Sequence, residues 1–294
     1  MPCSKQQGIF FVYLHRKSIN LIRQTNSYLL MSTINIFKIF HPVHTDGLAR
    51  LGGNYDGGYI IHYPSLADAV YLVNYGVGYN VSFEKDFSRA TGRPVLAFDP
   101  TLKDIFAVFG DLKSGIIPFL RHAKNYGLWL FKVGTLKKHN ITMVEEGIGD
   151  KNWGAYKTLA YHLDKYGLTD KSIILKMDVE GAEYPFFNDP ATYPLLDKAL
   201  QIILEFHDVE KNMDNLVNIM HNISKTHSLI HIHSNNHAGT FNYNGKNIPE
   251  TLEATFLLNK YLPAKTPSTT PYPVPGLDQP CDRLSEDIVL DFFY

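Results

Sequence analysis

Cysteine and net charge are both scarce in this sequence, and their scarcity excludes several classes of protein. The 294 residues include only two cysteines, Cys3 and Cys281, which are too few for a disulfide framework and form no paired-cysteine metal motif. The formal net charge is −1, so no bulk electrostatic signal points to nucleic acid or an anionic membrane. The apolar run at residues 9–14 is far shorter than the roughly 20 residues that span a bilayer. We therefore predict no nucleic-acid partner, no integral membrane segment and, as the simpler interpretation, a reducing cytoplasmic location.

Acidic residues are absent from the first 45 residues, which nevertheless carry several lysines and arginines. An acid-free, basic segment is one form that a targeting peptide takes. Two other interpretations stay open: a chain that starts at Met31 after an extension of little structure, or a helix over residues 34–40 packed on the domain. We predict a basic extension over 1–45, for which partial disorder is one interpretation, a domain over 46–262 with an insertion around 101–136, and a proline-rich tail over 263–294 packed on the domain.

Seven apolar runs recur along the chain, with helix-like or irregular stretches between them. Continuous apolar runs without strict alternation are typical of strands that are covered on both faces. Helices are predicted at residues 82–91, 153–166 and 214–225. This alternation predicts an α/β fold with a doubly wound, mostly parallel sheet of seven strands. The predicted strands are 70–75, 94–98, 141–144, 173–177, 199–204, 228–232 and 252–258.

A glycine turn follows the first of these strands but lacks one glycine of the dinucleotide fingerprint. Gly76 and Gly78 fit the pattern Gly-x-Gly-x-x-Gly, whereas its last position holds Val81. Asp99 ends the second strand, where an acid suits the hydroxyls of a ribose. A glycine turn and an acid positioned for a ribose, without the third glycine of the fingerprint, favour an adenosine ligand that has no pyrophosphate. S-adenosylmethionine (SAM) is the natural candidate. A nucleotide-binding oxidoreductase or a sugar-modifying enzyme on a similar sheet stays an alternative.

The fourth strand leads into a charged segment that resembles a known family. Residues 176–183, Lys-Met-Asp-Val-Glu-Gly-Ala-Glu, are similar to the Lys-Ile-Asp-Val-Glu-Gly-x-Glu signature of FkbM-type SAM-dependent methyltransferases. Weaker similarities occur in the expected order at 50–59, 74–78, 98–101, 249–253 and 275–280, so the resemblance covers residues 46–294. It implies the class I methyltransferase fold, Rossmann-like with its last strand antiparallel, and acceptors that are mostly hydroxyl groups of sugars and natural products.

The resemblance also implies where the cofactor would bind. Tyr75, Gly76 and Gly78 would form the turn under the methionine part of SAM, and Asp99 would bind the ribose. The segment after the third strand would hold adenine, with Gly147 and Ile148 against the ring and Asp150 accepting from the exocyclic amine. For that last segment an ordinary turn rich in glycine and aspartate is the alternative.

Catalytic candidates are expected at the ends of the fourth and fifth strands. Asp178 would sit where cofactor and acceptor meet, and His207, with Glu205 beside it, is our preferred general base for an alcohol acceptor. A divalent cation held by Asp178 with Glu205 or His207 is the alternative. Glu180 and Glu183 have a simpler interpretation as the charged start of a helix. Further candidates are His231, His233 and His237.

The sequence thus favours a SAM-dependent methyltransferase that O-methylates a sugar or glycan hydroxyl, with a small-molecule or glycan acceptor. The loop from His237 to Thr240 is small and polar, which fits a polar acceptor. A non-catalytic binding protein that keeps the fold is a further alternative, which the presence of Asp99, Asp178 and His207 makes less favourable.

Overall fold

The computed structural model describes residues 36–101 and 136–294. The predicted insertion lies almost entirely outside the described residues, as does most of the predicted N-terminal extension. Within the described residues, the helices are α1 (Ser82–Thr91), α2 (Leu159–Lys165), α3 (Glu183–Asn188), α4 (Tyr193–Leu196) and α5 (Val209–Ile223). The strands are β1 (Leu48–Gly52), β2 (Gly58–His62), β3 (Tyr71–Tyr75), β4 (Val95–Phe98), β5 (Ile141–Val144), β6 (Gly147–Ile148), β7 (Tyr156–Lys157), β8 (Ile173–Met177), β9 (Ala199–Phe206), β10 (His227–Ser234), β11 (Thr240–Tyr243), β12 (Lys246–Pro249) and β13 (Leu252–Leu258).

A seven-stranded sheet forms the centre of the domain, in the order β10-β13-β9-β8-β3-β4-β5. Neighbours from β9 to β5 are parallel, whereas β13 is antiparallel to both β9 and β10. The fold class is therefore confirmed: the sheet is mostly parallel and Rossmann-like, and its last strand is antiparallel. Every residue of β3 after the first, and every residue of β4 and β8, is buried, as expected for strands covered on both faces.

Apolar side chains cover the two faces of this sheet with different elements. On one face, Phe83 and Phe87 of α1 pack with Ile61 of β2 against alternate residues of the central strands. On the other face, helices α2, α3 and α5 pack against the remaining residues. Because β3, β4 and β8 are in register, with Tyr75 beside Phe98 and Met177, their carboxyl ends lie at one edge of the sheet. That edge is where open α/β sheets bind their ligands.

The hairpin β1–β2 lies on the sheet beside α1 and is fixed to it by buried polar contacts. Gln201 of β9 accepts a hydrogen bond from the His62 backbone N–H at 2.7 Å and donates one to the His62 carbonyl at 2.9 Å. The Thr255 hydroxyl donates to the Ile60 carbonyl at 2.6 Å. These contacts hold β2, and with it Tyr59, against the end of the sheet where the strands' polar residues emerge.

Two of the three predicted helices have different bounds from those expected. Helix α1 occupies residues 82–91 as predicted, whereas α5 begins already at Val209 rather than at 214. The prediction of a helix from 153 is wrong, because Tyr156 and Lys157 pair as β7 with β6 and α2 begins only at Leu159. Thr158 caps that helix by accepting from the Tyr161 backbone N–H at 3.2 Å.

The described N-terminal residues and the C-terminal tail pack together on the domain. A short 3-10 helix spans Ile36–Phe40, and its buried Phe40 lies with its ring centroid 5.5 Å from that of Phe292 in the tail. An isolated bridge joins Val43 to Pro267. The predicted domain boundaries stay a prediction. Across the described residues, every helix is too short or too polar to cross a membrane.

Candidate active site

A cavity of about 900 Å³ opens at the carboxyl ends of the parallel strands. Nine of the residues that the sequence singles out for cofactor binding or catalysis line it. They come from four strand ends and from the short strand β6: Tyr75, Gly76, Gly78, Asp99, Gly147, Ile148, Asp178, Glu205 and His207. The structure therefore brings these nine residues together around one cavity.

The glycine turn after β3 passes very close to the end of β8. Gly76 has a φ of +76°, and a Cβ built there would lie 1.5 Å from the Asp178 carbonyl oxygen, so only glycine fits. Gly78 also has a positive φ, of +55°, but an added Cβ would meet no atom within 4 Å. The backbone at Gly78 thus faces open space in the cavity, where a ligand can approach it closely.

Asp99 is buried at the end of β4 and is held in one orientation by three hydrogen bonds. Its Oδ2 accepts from the Gly78 backbone N–H at 2.9 Å. Its Oδ1 accepts from the Thr101 backbone N–H at 2.8 Å and from the Thr101 hydroxyl at 2.7 Å. Oδ2 keeps a second lone pair, whereas both lone pairs of Oδ1 are used by Thr101, so the carboxylate can still accept from one ligand hydroxyl.

The segment after β5 contributes a different set of side chains from the one expected. Gly147 and Ile148 line the cavity, but Asp150 is exposed and does not. Tyr156 of β7 lines the cavity instead, and its ring lies so close to Gly147 that a Cβ there would come within 2.8 Å of it. Sequence reasoning missed Tyr156 because its position depends on the pairing of β6 with β7, two strands of two residues each.

Four carboxylates surround the imidazole of His207. Its Nε2 lies 3.5 Å from Glu180, 3.7 Å from Asp178 and 3.7 Å from Glu205, and its Nδ1 lies 3.3 Å from Glu183. Burial alone would lower the pKa of His207, but the hydrogen bond to Glu183 and the neighbouring carboxylates outweigh it and raise that pKa to about 9. With nothing else bound, the ring is therefore an imidazolium at neutral pH.

Glu183 has a larger role than the helix start that the sequence suggests. It is the first residue of α3, and its fully buried carboxylate accepts from the Gly181 backbone N–H at 2.9 Å and the His207 backbone N–H at 2.7 Å. The carboxylate thus connects the turn after β8 to the end of β9. This contact fixes the direction of the His207 side chain.

Tyr59 of β2 reaches the same group of carboxylates from above the sheet. Its hydroxyl lies 2.9 Å from Asp178 Oδ2 and 3.0 Å from Glu205 Oε2, and donates its single proton to one of them at a time. Burial, followed by the charges of Glu205 and Asp178, raises the pKa of Tyr59 well above its ordinary value, so the phenol stays protonated. Lys176 lies 4.1 Å from the centroid of the Tyr59 ring and 3.7 Å from Asp178 Oδ2.

Negative charge exceeds positive charge in this part of the cavity. Asp178, Glu180, Glu183 and Glu205 face only two cationic side chains of the described residues, Lys176 and His207. Burial and the Asp178 carboxylate raise the pKa of Glu205. A cationic ligand would relieve the repulsion between these groups.

A further buried carboxylate lies beneath the glycine turn. Glu84 of α1 lines the cavity and is only 1% exposed. Its Oε1 accepts from the Asn74 side-chain amide, whereas its Oε2 has no hydrogen-bond partner among the described residues. Burial raises the pKa of Glu84 to about 7. Sequence reasoning did not select this residue, which has the spacing of an ordinary first-turn helix glutamate.

The three candidate histidines beyond β9 divide between two places. His237 lines the cavity together with Asn235 and Thr251. His231 and His233 do not, because their rings turn toward the tail, where they contact Asp278 and Asp287. They are therefore removed from the set of groups that could act in the cavity.

Comparisons with known proteins found similarity to solved structures only. No protein-family model matches the chain, and no curated protein does. Three solved structures that resemble it are an rRNA methylase from Streptococcus thermophilus (14% identity, TM-score 0.37, covering 67% of this chain and 93% of that one), the precorrin-6y C5,15-methyltransferase from Geobacter metallireducens GS-15 (11%, 0.35, 66% and 84%) and a 16S rRNA (adenine(1408)-N(1))-methyltransferase variant from Catenulisporales acidiphilia (10%, 0.30, 72% and 97%). Likenesses this weak carry no argument about function. The resemblance to the FkbM-type family stays a prediction.

Proposed function

We propose that the protein is a SAM-dependent methyltransferase that O-methylates a hydroxyl group of a sugar or glycan. The observation that carries the proposal is the convergence of the glycine turn, the ribose acid and the β8–β9 carboxylates on one cavity. These groups are spread over more than 100 residues of the chain, from Gly76 to Glu205, and meet at the carboxyl ends of the parallel strands.

The residues of the cavity fit the parts of SAM. Gly78 provides an open backbone surface, Asp99 provides an oriented acceptor for a ribose hydroxyl, and Ile148 provides an apolar surface for adenine. The unpartnered oxygen of Glu84 suits the ammonium group of the methionine part. When bound, SAM supplies a methyl group on a sulfonium that is already activated for displacement.

The remaining wall of the cavity suits a hydroxylated acceptor. Asn235, His237 and Thr251 offer polar contacts there, and Asp178 and Glu205 lie beside them. Because the methyl donor is activated, these residues mainly need to align the acceptor oxygen with the reacting carbon. The pKa of His207 is raised in the ligand-free site, and the positive charge of bound SAM would lower it. His207 would then take the proton of the acceptor hydroxyl.

A divalent cation held by Asp178 with Glu205 or His207 remains the alternative to His207 acting as the base. Ligand atoms of Asp178, Glu180 and His207 lie within 4.8 Å of one another, so these three side chains could hold one. Turnover measured with and without added Mg²⁺ or Mn²⁺ tests it. We expect no dependence, because the alignment chemistry proposed above needs no metal.

Cofactor binding is the first test of the proposed function. Calorimetric titration of the full chain should show saturable binding of SAM and S-adenosylhomocysteine and none of NAD(H), with loss of binding in Asp99→Ala. Binding of NAD(H) without SAM would contradict the proposal and favour an oxidoreductase.

Acceptor class is tested separately with SAM that carries a labelled methyl group. We expect label to enter mono- or oligosaccharides and not RNA, and to resist mild base as an ether does. Transfer to RNA alone would overturn the sugar assignment while leaving the methyltransferase assignment intact. Cofactor binding without transfer to any acceptor would favour a binding protein.

A further inference from the structure

A second cluster of metal-ligating side chains lies between the last two strands and the C-terminal tail. It consists of His233 of β10, Glu253 of β13 and Cys281 of the tail, all of them buried. His233 and Glu253 are cross-strand partners, so their side chains lie on the same face of the sheet. None of the three lines the cavity described above, and the methyltransferase proposal makes no use of them.

The donor atoms of this cluster are already close to the spacing that a metal ion requires. One ligand atom of each residue lies within 4.8 Å of the other two. Glu253 Oε2 is 3.0 Å from His233 Nδ1, and Glu253 Oε1 is 3.4 Å from Cys281 Sγ. Bonds of about 2.0–2.3 Å in a tetrahedral zinc site place neighbouring ligand atoms about 3.3–3.8 Å apart. The Glu253–His233 and Glu253–Cys281 pairs are thus at or below this spacing, and a common set of three donor atoms lies within 4.8 Å, so shifts of up to about an ångström would suffice.

We propose that His233, Glu253 and Cys281 bind a zinc ion that fastens the C-terminal tail to the sheet. An imidazole nitrogen, a carboxylate oxygen and a thiolate sulfur are the three donor types that zinc takes in proteins, and the sulfur excludes hard ions such as Mg²⁺ as the preferred occupant. The second Glu253 oxygen or a water can take the fourth position.

Asp287 supports this assignment from outside the three ligands. Its carboxylate oxygens lie 3.0 and 3.2 Å from His233 Nε2, the ring nitrogen on the side away from Glu253. Metal-binding histidines commonly donate their second ring N–H to a carboxylate, which fixes the tautomer and the ring orientation. Nδ1 is thereby left for the ion.

Charge balance also favours a divalent ion at this buried position. The carboxylates of Glu253 and Asp287 both lie against the His233 ring. A divalent cation would offset their negative charge in the protein interior.

Cobalt spectroscopy on the full chain tests the site, because a thiolate–cobalt bond has a charge-transfer absorption in the near ultraviolet that carboxylate and imidazole ligands lack. The experiment uses Cys3→Ser, which leaves Cys281 as the only thiol. We expect one Co²⁺ per chain with this absorption, its displacement by Zn²⁺, and a higher unfolding temperature with Zn²⁺. Metal bound only by Asp178, Glu180 and His207 would give no such absorption.

Matched variants separate a zinc site from a hydrogen-bonded cluster without metal. Cys281→Ser keeps a hydroxyl that can bond to Glu253 but should abolish the absorption and weaken zinc binding at least about tenfold. Asp287→Asn should weaken zinc binding by about 10–100-fold while keeping the absorption. If Cys281→Ser does not fold, Asp287→Asn and the zinc-dependent unfolding temperature still test whether the cluster binds zinc. Absence of saturable binding, or equal zinc affinity in Cys281→Ser, would overturn the proposal.

Discussion

The protonation state of His207 depends on the charge of whatever occupies the cavity. Its pKa is raised by four surrounding carboxylates, so below about pH 9 the ligand-free ring is an imidazolium and cannot act as a base. In the proposed function, a bound sulfonium would add a positive charge near the same carboxylates and take over part of the charge balance. The pKa of His207 would then fall, which would make the ring available when the methyl donor is present.

We predict that the pKa of His207, measured by NMR titration, is lower with SAM than with S-adenosylhomocysteine. The two ligands differ at the sulfur by one methyl group and one positive charge, so the difference reports that charge alone. At an effective dielectric of about 20, a charge roughly 6–10 Å away accounts for on the order of one pKa unit. Equal pKa values in the two complexes would contradict the coupling.

The raised pKa of His207 in the ligand-free protein also sets the expected direction of the pH dependence of turnover. Because kcat/KM reports the free enzyme, it should rise with pH up to about 9 as His207 loses its proton, whereas kcat should reach its plateau at lower pH. Glu183→Gln keeps an acceptor for the His207 backbone N–H but removes a charge, so it should move the rise in kcat/KM to lower pH. A rise at the same pH in that variant would exclude His207 as the titrating base.

At the scale of elements, the turn between β3 and α1 is the feature on which the proposed cofactor binding would depend most. Gly78 and Gly92 both have positive φ, of +55° and +67°, and an added Cβ meets no atom within 4 Å at either position. Gly78 lines the cavity, whereas Gly92 caps the far end of α1 by donating to the Ser88 carbonyl at 2.8 Å.

We predict that Gly78→Ala weakens SAM binding at least about tenfold and that Gly92→Ala leaves it unchanged. Both substitutions place alanine in the left-handed region, so each should lower the free energy of unfolding by about 1–2 kcal/mol. Only the first places a methyl group in the cavity. Calorimetric titration and urea unfolding of both variants separate the two effects, and equal SAM affinity in both would mean that the cofactor does not lie on this turn.

The central strands were predictable because each buried strand is a continuous apolar run in the sequence. All seven central strands occur where the runs predict them, and β9 and β10 merely extend further, to Phe206 and Ser234. Tyr59 was not predictable as a site residue, because it reaches Asp178 only through the packing of the β1–β2 hairpin on β9 and β13. Glu183 was missed for a similar reason, since its partner is the backbone of a strand end 24 residues away.

At the scale of the whole molecule, the C-terminal tail is part of the folded core although it contains no helix or named strand. Phe292 is only 1% exposed, and its ring centroid lies 5.5 Å from that of Phe40 and 6.2 Å from that of Phe37. The tail thus joins the described N-terminal residues to the domain. Leu284 lies in the same tail but is 88% exposed.

We predict that Phe292→Ala lowers the free energy of unfolding by about 3–5 kcal/mol, because it removes a buried ring and leaves a cavity between the tail and the 3-10 helix. Leu284→Ala should change it by no more than about 0.5 kcal/mol, since that side chain is in solvent. Chemical denaturation followed by circular dichroism measures both. A loss confined to the near-ultraviolet signal, with the main transition unmoved, would show instead that the tail unfolds apart from the sheet. In that case neither the aromatic contacts nor the proposed zinc ion would couple the tail to the stability of the domain.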